Sequence, residues 1–117
     1  MGRLTTHVLD VSAGKPGSGI HIALTRLDGD VRQPLASAVT NADGRCEGAI
    51  LDGAAFRPGV YELAFEVGDY FAARGVVQQE PKFLDVVVIR FGISAPDQHY
   101  HVPLLVSPFG YSTYRGS

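Results

Sequence analysis

The sequence predicts an all-β protein, an antiparallel β-sandwich with one short helix. Three observations carry this. Apolar residues alternate with polar ones at a period of two along most of the chain. Clusters of Gly, Asp, Asn, Ser and Pro punctuate the alternation at short intervals. The strand–helix alternation of a nucleotide-binding fold is missing, as is any G-x-G-x-x-G or G-x-x-x-x-G-K-[ST] stretch.

The elements follow in order. "RLTTHVLD" places Leu4, Thr6 and Val8 on one face of a strand and Thr5, His7 and Leu9 on the other. "SAGKPGSG" is a loop by composition. "IHIALTRL" points Ile20, Ile22 and Leu24 inward and His21, Ala23 and Thr25 outward, with His21 an ordinary exposed residue. "DGD" is a turn, "PLASAV" a short third strand and "NADGRC" a further turn from which Arg45 emerges. "GVYELAFEV" turns Tyr61, Leu63, Phe65 and Val67 inward and leaves Glu62 and Glu66 in water. "GDYFAARG" is the helix, with Asp69 as N-cap and Gly75 as its C-terminal stop. "LDVVVIRF" is a nearly continuous apolar strand. "HYHVPLLV" sets Tyr100, Val102, Leu104 and Val106 on one face and His99, His101, Pro103 and Leu105 on the other, and "GYSTYR" closes the last hairpin. Pro103 cannot donate to a ladder, which predicts an edge or a break there.

At 117 residues the chain is most simply one domain, 1–117, long enough to bury a core without staples. A net charge of −2 with no block of like charges argues against a nucleic-acid or membrane-surface partner. No stretch approaches the ~20 apolar residues of a membrane span. The single cysteine, Cys46, has no partner for an internal disulfide and nothing local to lower its pKa. Together with the lack of a signal-peptide pattern, this points to a cytoplasmic location.

The outward faces hold the chemistry. A solvated sheet face carries Lys, Glu, Thr and Ser, whereas the first and penultimate strands carry His7, Leu9, His99, His101 and Leu105 there. Outward leucines imply a covered face, with another subunit as the simplest cover. His99 and His101 share a face and have metal-ligand spacing, but no Cys or further His stands near them in sequence, so no metal is assigned.

"THVLD", "DGR", "HYHVPLLVSP" and the terminal "YRGS" together resemble the transthyretin-like proteins over essentially the whole chain, Leu4 to Ser117, and in particular their 5-hydroxyisourate hydrolase branch. The resemblance implies a transthyretin-like sandwich of about eight strands and a homotetramer built as a dimer of dimers. It also implies active sites in the channel between dimers, and no cofactor. It gives catalytic roles to His7, Arg45, His101 and Ser117, with His7, Arg45, Tyr114 and Ser117 binding substrate. The implied reaction is hydrolytic ring opening of 5-hydroxyisourate to 2-oxo-4-hydroxy-4-carboxy-5-ureidoimidazoline. Two other classes fit the sandwich: a carrier that binds a small molecule in the central channel of the tetramer, and a purely structural domain. The carrier calls for an apolar channel, and the structural domain leaves the outward imidazoles and the tail unexplained.

Overall fold

The computed structural model describes residues 1–117. Its strands are β1 (Leu4–Asp10), β2 (Lys15–Pro16), β3 (His21–Asp28), β4 (Val31–Val39), β5 (Gly59–Phe65), β6 (Val87–Ile93), β7 (Tyr100–Ser107) and β8 (Gly110–Thr113), with one α-helix, α1 (Val67–Ala73), and a single 3-10 turn at Gly53–Ala55. They form two four-stranded sheets, ordered β2-β1-β7-β8 and β4-β3-β5-β6. The eight-stranded sandwich with one helix stands as expected. One pair departs from an all-antiparallel sandwich, because β1 and β7 run parallel, from Leu4↔Tyr100 to Asp10↔Val106.

The alternation reads the core faces correctly. Leu4 and Val8 of β1 meet Ile22 and Leu24 of β3, Tyr61, Leu63 and Phe65 of β5, and Val102, Leu104 and Val106 of β7 in one apolar cluster. Each such side chain contributes about 1.5–3 kcal/mol on leaving water. Thr6 faces inward too, and its hydroxyl donates to the Val102 carbonyl at 2.7 Å, so β1 is tied to β7 even on the core side.

Four local readings are corrected. Glu62 is buried, 7% exposed, beneath the guanidinium groups of Arg32 and Arg90 at 2.6 and 2.8 Å. Hydrogen bonds from Arg32 and then Arg90 hold its carboxyl below the usual range. Period-2 counting assigns it a face and cannot see the arginines that β6 beside it and β4, one strand further across the sheet, fold over it. The third strand covers Val31–Val39, longer than "PLASAV", because Pro34 sits on an edge strand beside a bulge and does not interrupt it. The helix starts at Val67 after Glu66, which makes no side-chain cap bond; Asp69 lies in its first turn, where a carboxylate suits the exposed N–H groups. Gly75 does stop the helix, at φ +84°.

Pro103 is the fourth. It is buried in β7, an interior strand, between β1 and β8. Its carbonyl accepts from Thr113 Oγ1 at 2.7 Å, so its nitrogen also faces β8. The β8 ladder ends at Leu104↔Thr113, one residue short of it, and no partner asks for the missing N–H.

At the end of β1, Asp10 is 1% exposed. Its Oδ1 accepts from Ser12 N, Ser12 Oγ and Ala13 N at 3.0, 2.6 and 3.1 Å, and its Oδ2 from the Tyr70 hydroxyl at 2.7 Å, so β1 is fastened to α1. Burial alone would raise the carboxyl pKa; the bonds from Ser12, Tyr70 and Ala13 outweigh it and the pKa falls. Burial and the neighbouring carboxylate push the Tyr70 hydroxyl up to about 12. Asp10→Ala strands these donors and is expected to cost about 3 kcal/mol in urea unfolding. A group with a depressed folded pKa stabilises fully above its unfolded value. The wild-type advantage over this variant should therefore vanish as pH falls through the acid range. A variant equally stable at pH 7 would show the carboxylate to be dispensable.

Candidate active site

The parallel pairing of β1 and β7 builds the site. Its register sets Thr5 beside His101, His7 beside Pro103 and Leu9 beside Leu105, so both outward rows become one surface. All five non-proline residues of that surface are half-buried within the single chain.

Arg45 reaches this surface from the turn after β4. The Asn41 side-chain oxygen accepts from the backbone N–H of Asp43 and of Arg45 at 2.9 and 3.2 Å, which closes the turn. Gly44 is required there: its φ is +75°, and a Cβ would fall 2.4 Å from the Val8 carbonyl oxygen. The turn is stitched to β1 by Val8 N donating to Gly44 O at 2.8 Å and by a bridge between His7 and Arg45. His7 Nε2 lies 3.0 Å from the Asp43 carbonyl oxygen. A carbonyl only accepts, so Nε2 carries a proton and the lone pair of neutral His7 is on Nδ1.

The tail arrives from the other side. Gly116 N donates to the His101 carbonyl at 2.7 Å, forming an isolated bridge. The Arg115 guanidinium donates to Gln98 Oε1 and the His99 carbonyl at 3.1 and 3.2 Å and lies 3.9 Å from the Tyr100 ring centroid. Within the chain its partners are thus an amide, a carbonyl and a ring.

Between turn and tail is a cleft of about 530 Å³ lined by polar side chains, among them Arg3, Arg45, His99, His101 and Ser117. Three expected residues, Arg45, His101 and Ser117, therefore converge. His7 stands on the same face, holding the turn that carries Arg45. Tyr114 does not join them: it is exposed and borders a separate groove with Phe91, Tyr100 and Arg115. Adjacent residues of an extended tail point to opposite sides, which sends Tyr114 away from the side reached by Ser117.

The imidazole of His101 titrates below its ordinary range, through burial first and then the nearby charges of Arg45 and His7. It is neutral at neutral pH and able to accept a proton. Thr5 Oγ1 is 2.8 Å from its Nδ1, a contact that inspection of the sequence did not single out. The parallel register would have exposed it, but strands so far apart in sequence give no local sign of pairing. Cys46 also borders the cleft, and burial pushes its thiol pKa up, so it remains an unreactive thiol.

The two four-stranded sheets make a sandwich that carries an imidazole–guanidinium cleft on its outer face. The chain belongs to the HIUase/Transthyretin family, whose sequence profile matches residues 4–116. It is 61% identical over 117 residues to a 5-hydroxyisourate hydrolase of Pseudomonas aeruginosa, covering 100% of this chain and 93% of that one. Among solved structures it resembles the 5-hydroxyisourate hydrolase of Klebsiella pneumoniae, with a TM-score of 0.81, 38% identity and complete coverage of both chains. It also resembles (S)-allantoin synthase, with a TM-score of 0.94 and 49% identity over 99% of this chain, which spans 44% of that longer one.

Proposed function

We propose that this protein hydrolyses 5-hydroxyisourate, opening its six-membered ring at a cyclic amide C–N bond. The observation that carries this reading is the convergence of His101, Arg45 and Ser117 in one polar cleft, in a chain so similar to named hydrolases.

Amide hydrolysis requires a base for water, positive charge where the carbonyl oxygen becomes an oxyanion, and a proton for the leaving nitrogen. Neutral His101 takes a proton from water as its oxygen bonds to the ring carbonyl carbon. Arg45 is always charged, and its planar donors suit the carbonyl and amide edge of a purine-like ring. The tetrahedral intermediate collapses with cleavage of the C–N bond. The imidazolium of His101 returns the proton to the leaving nitrogen, so water has added across the bond and the enzyme is unchanged. The Ser117 hydroxyl holds water or substrate at the cleft wall. His7 keeps the Arg45 turn in place and supplies a second imidazole on the same face.

The direct assay generates 5-hydroxyisourate from urate with urate oxidase and follows its ultraviolet absorbance by stopped flow. Decay should accelerate in proportion to added protein. Decay at the spontaneous rate would refute the activity. Because catalysis needs neutral His101, kcat/KM should be flat near neutral pH and fall as pH drops through the lowered histidine pKa.

The half-buried Leu9 and Leu105 on the outward face support assembly into a homotetramer whose channel encloses the cleft. Light scattering should then give about four times the 12.5 kDa chain mass. Leu105→Glu should dissociate that assembly, since an unpaired carboxylate in an interface typically costs several kcal/mol. An active monomer would show that the site is complete in one chain. No helix is long and apolar enough to cross a membrane. The unpaired Cys46 suits a reducing compartment, which supports action in the cytoplasm.

A further inference from the structure

A histidine base works through one nitrogen, and the group bound to the other nitrogen decides which one that is. On β7, each part of the His101 ring has a different neighbour. Nδ1 is 2.8 Å from Thr5 Oγ1. The Cβ–Cγ–Cδ2 edge lies against the backbone of Gly116, where an added Cβ would stand 2.5 Å from Cδ2 and 3.1 Å from Cγ. What remains is the Nε2–Cε1 edge of a ring that borders the cleft. Thr5 is suited to this hold. It is half-buried, it pairs directly with His101 in the parallel register, and its β-branched side chain has few rotamers on a strand.

We infer that Thr5 is the positioning residue for His101: its hydroxyl oxygen accepts a hydrogen bond from Nδ1–H and leaves the Nε2 lone pair facing the cleft. This rests on the reading of His101 as the base. The same bond persists when Nε2 gains a proton, because Nδ1–H is a donor in both states. Thr5 therefore orders the ring through the whole cycle without touching substrate. The charged and titratable groups around the ring are Arg45 and Cys46 from the turn, His7 and Arg3 from the β1 side and His99 ahead of β7; none of them bonds to Nδ1.

The test pairs Thr5→Val, which keeps the shape and removes the hydroxyl, with Thr5→Ser, which keeps the hydroxyl. Ring ¹⁵N shifts of His101 in the full-length protein report the tautomer without any substrate. Wild type and Thr5→Ser should show Nδ1–H, and Thr5→Val should move toward Nε2–H. In the stopped-flow assay Thr5→Val should lose at least about tenfold in kcat with KM little changed, the signature of a base in the wrong tautomer, and Thr5→Ser should recover most of it. The acid limb of the pH profile should also move in Thr5→Val and not in Thr5→Ser. An Nε2–H tautomer in wild type, or an equal loss in both variants, would overturn the inference. A wild-type protein with no hydrolytic activity but an Nδ1–H tautomer lost in Thr5→Val would instead sink the proposed function and leave the Thr5–His101 pairing standing.

Discussion

Replacing His101 with asparagine is expected to lower turnover by a factor on the order of 10², the usual range for loss of a general acid–base group. That corresponds to about 2.7 kcal/mol of transition-state stabilisation. The fold should be undisturbed, because the imidazole points away from the apolar cluster formed by its neighbours Tyr100 and Val102. His7→Asn should also cost on the order of 10², by loosening the turn that presents Arg45 and removing the second imidazole. His99→Asn is the control. His99 borders the same cleft and shares the outward side, but it is its backbone carbonyl that accepts from Arg115, so activity should stay near wild type. Equal losses in all three variants would show that the cleft needs imidazoles in general and would remove the special role of His101.

Deletion of residues 114–117 should abolish most activity with little loss of stability. The deletion removes Ser117 from the cleft and exposes the ring edge that Gly116 covers. Its main structural cost is the contact of Arg115 with Tyr100, worth roughly 0.5–1 kcal/mol at an exposed position. The thermal midpoint should fall by only a few degrees. Gly116→Ala isolates the steric part. Its methyl group would meet His101 Cδ2 at 2.5 Å, so the ring must turn, and kcat should drop while Ser117 remains in place. A short polar tag after Ser117 should impair the enzyme by crowding the cleft. Full activity in the deletion variant would make the tail a bystander and take Ser117 out of the site.

Much of this protein is legible from side-chain alternation. The inward set on β7 and the outward set on β1 follow from a period of two, which is a local property of extended backbone. The same counting singles out His7 and His101 as imidazoles on unusual faces, and the resemblance of "DGR" and "YRGS" to family motifs adds Arg45 and Ser117. Counting fails where a neighbour from another strand changes what a residue needs. Glu62 reads as a solvated carboxylate and is a buried one because Arg32 and Arg90 close over it. Pro103 reads as an edge residue and is an interior one because β8 stops beside it.

Strand alternation thus assigns most strand residues to the core or the outer face and marks which of the outward ones are chemically able to act. The tertiary structure alone decided which outward residues meet. The parallel pairing of β1 with β7 brings Thr5 to His101 across 96 residues of chain. The Asn41–Arg45 turn delivers the guanidinium to the same cleft, and the tail lays Gly116 on the ring while turning Tyr114 aside. Strand alternation is set within a few residues by backbone geometry. Pairing is set by burying two sheets against each other, an energy that depends on the whole chain and leaves no mark at either strand alone.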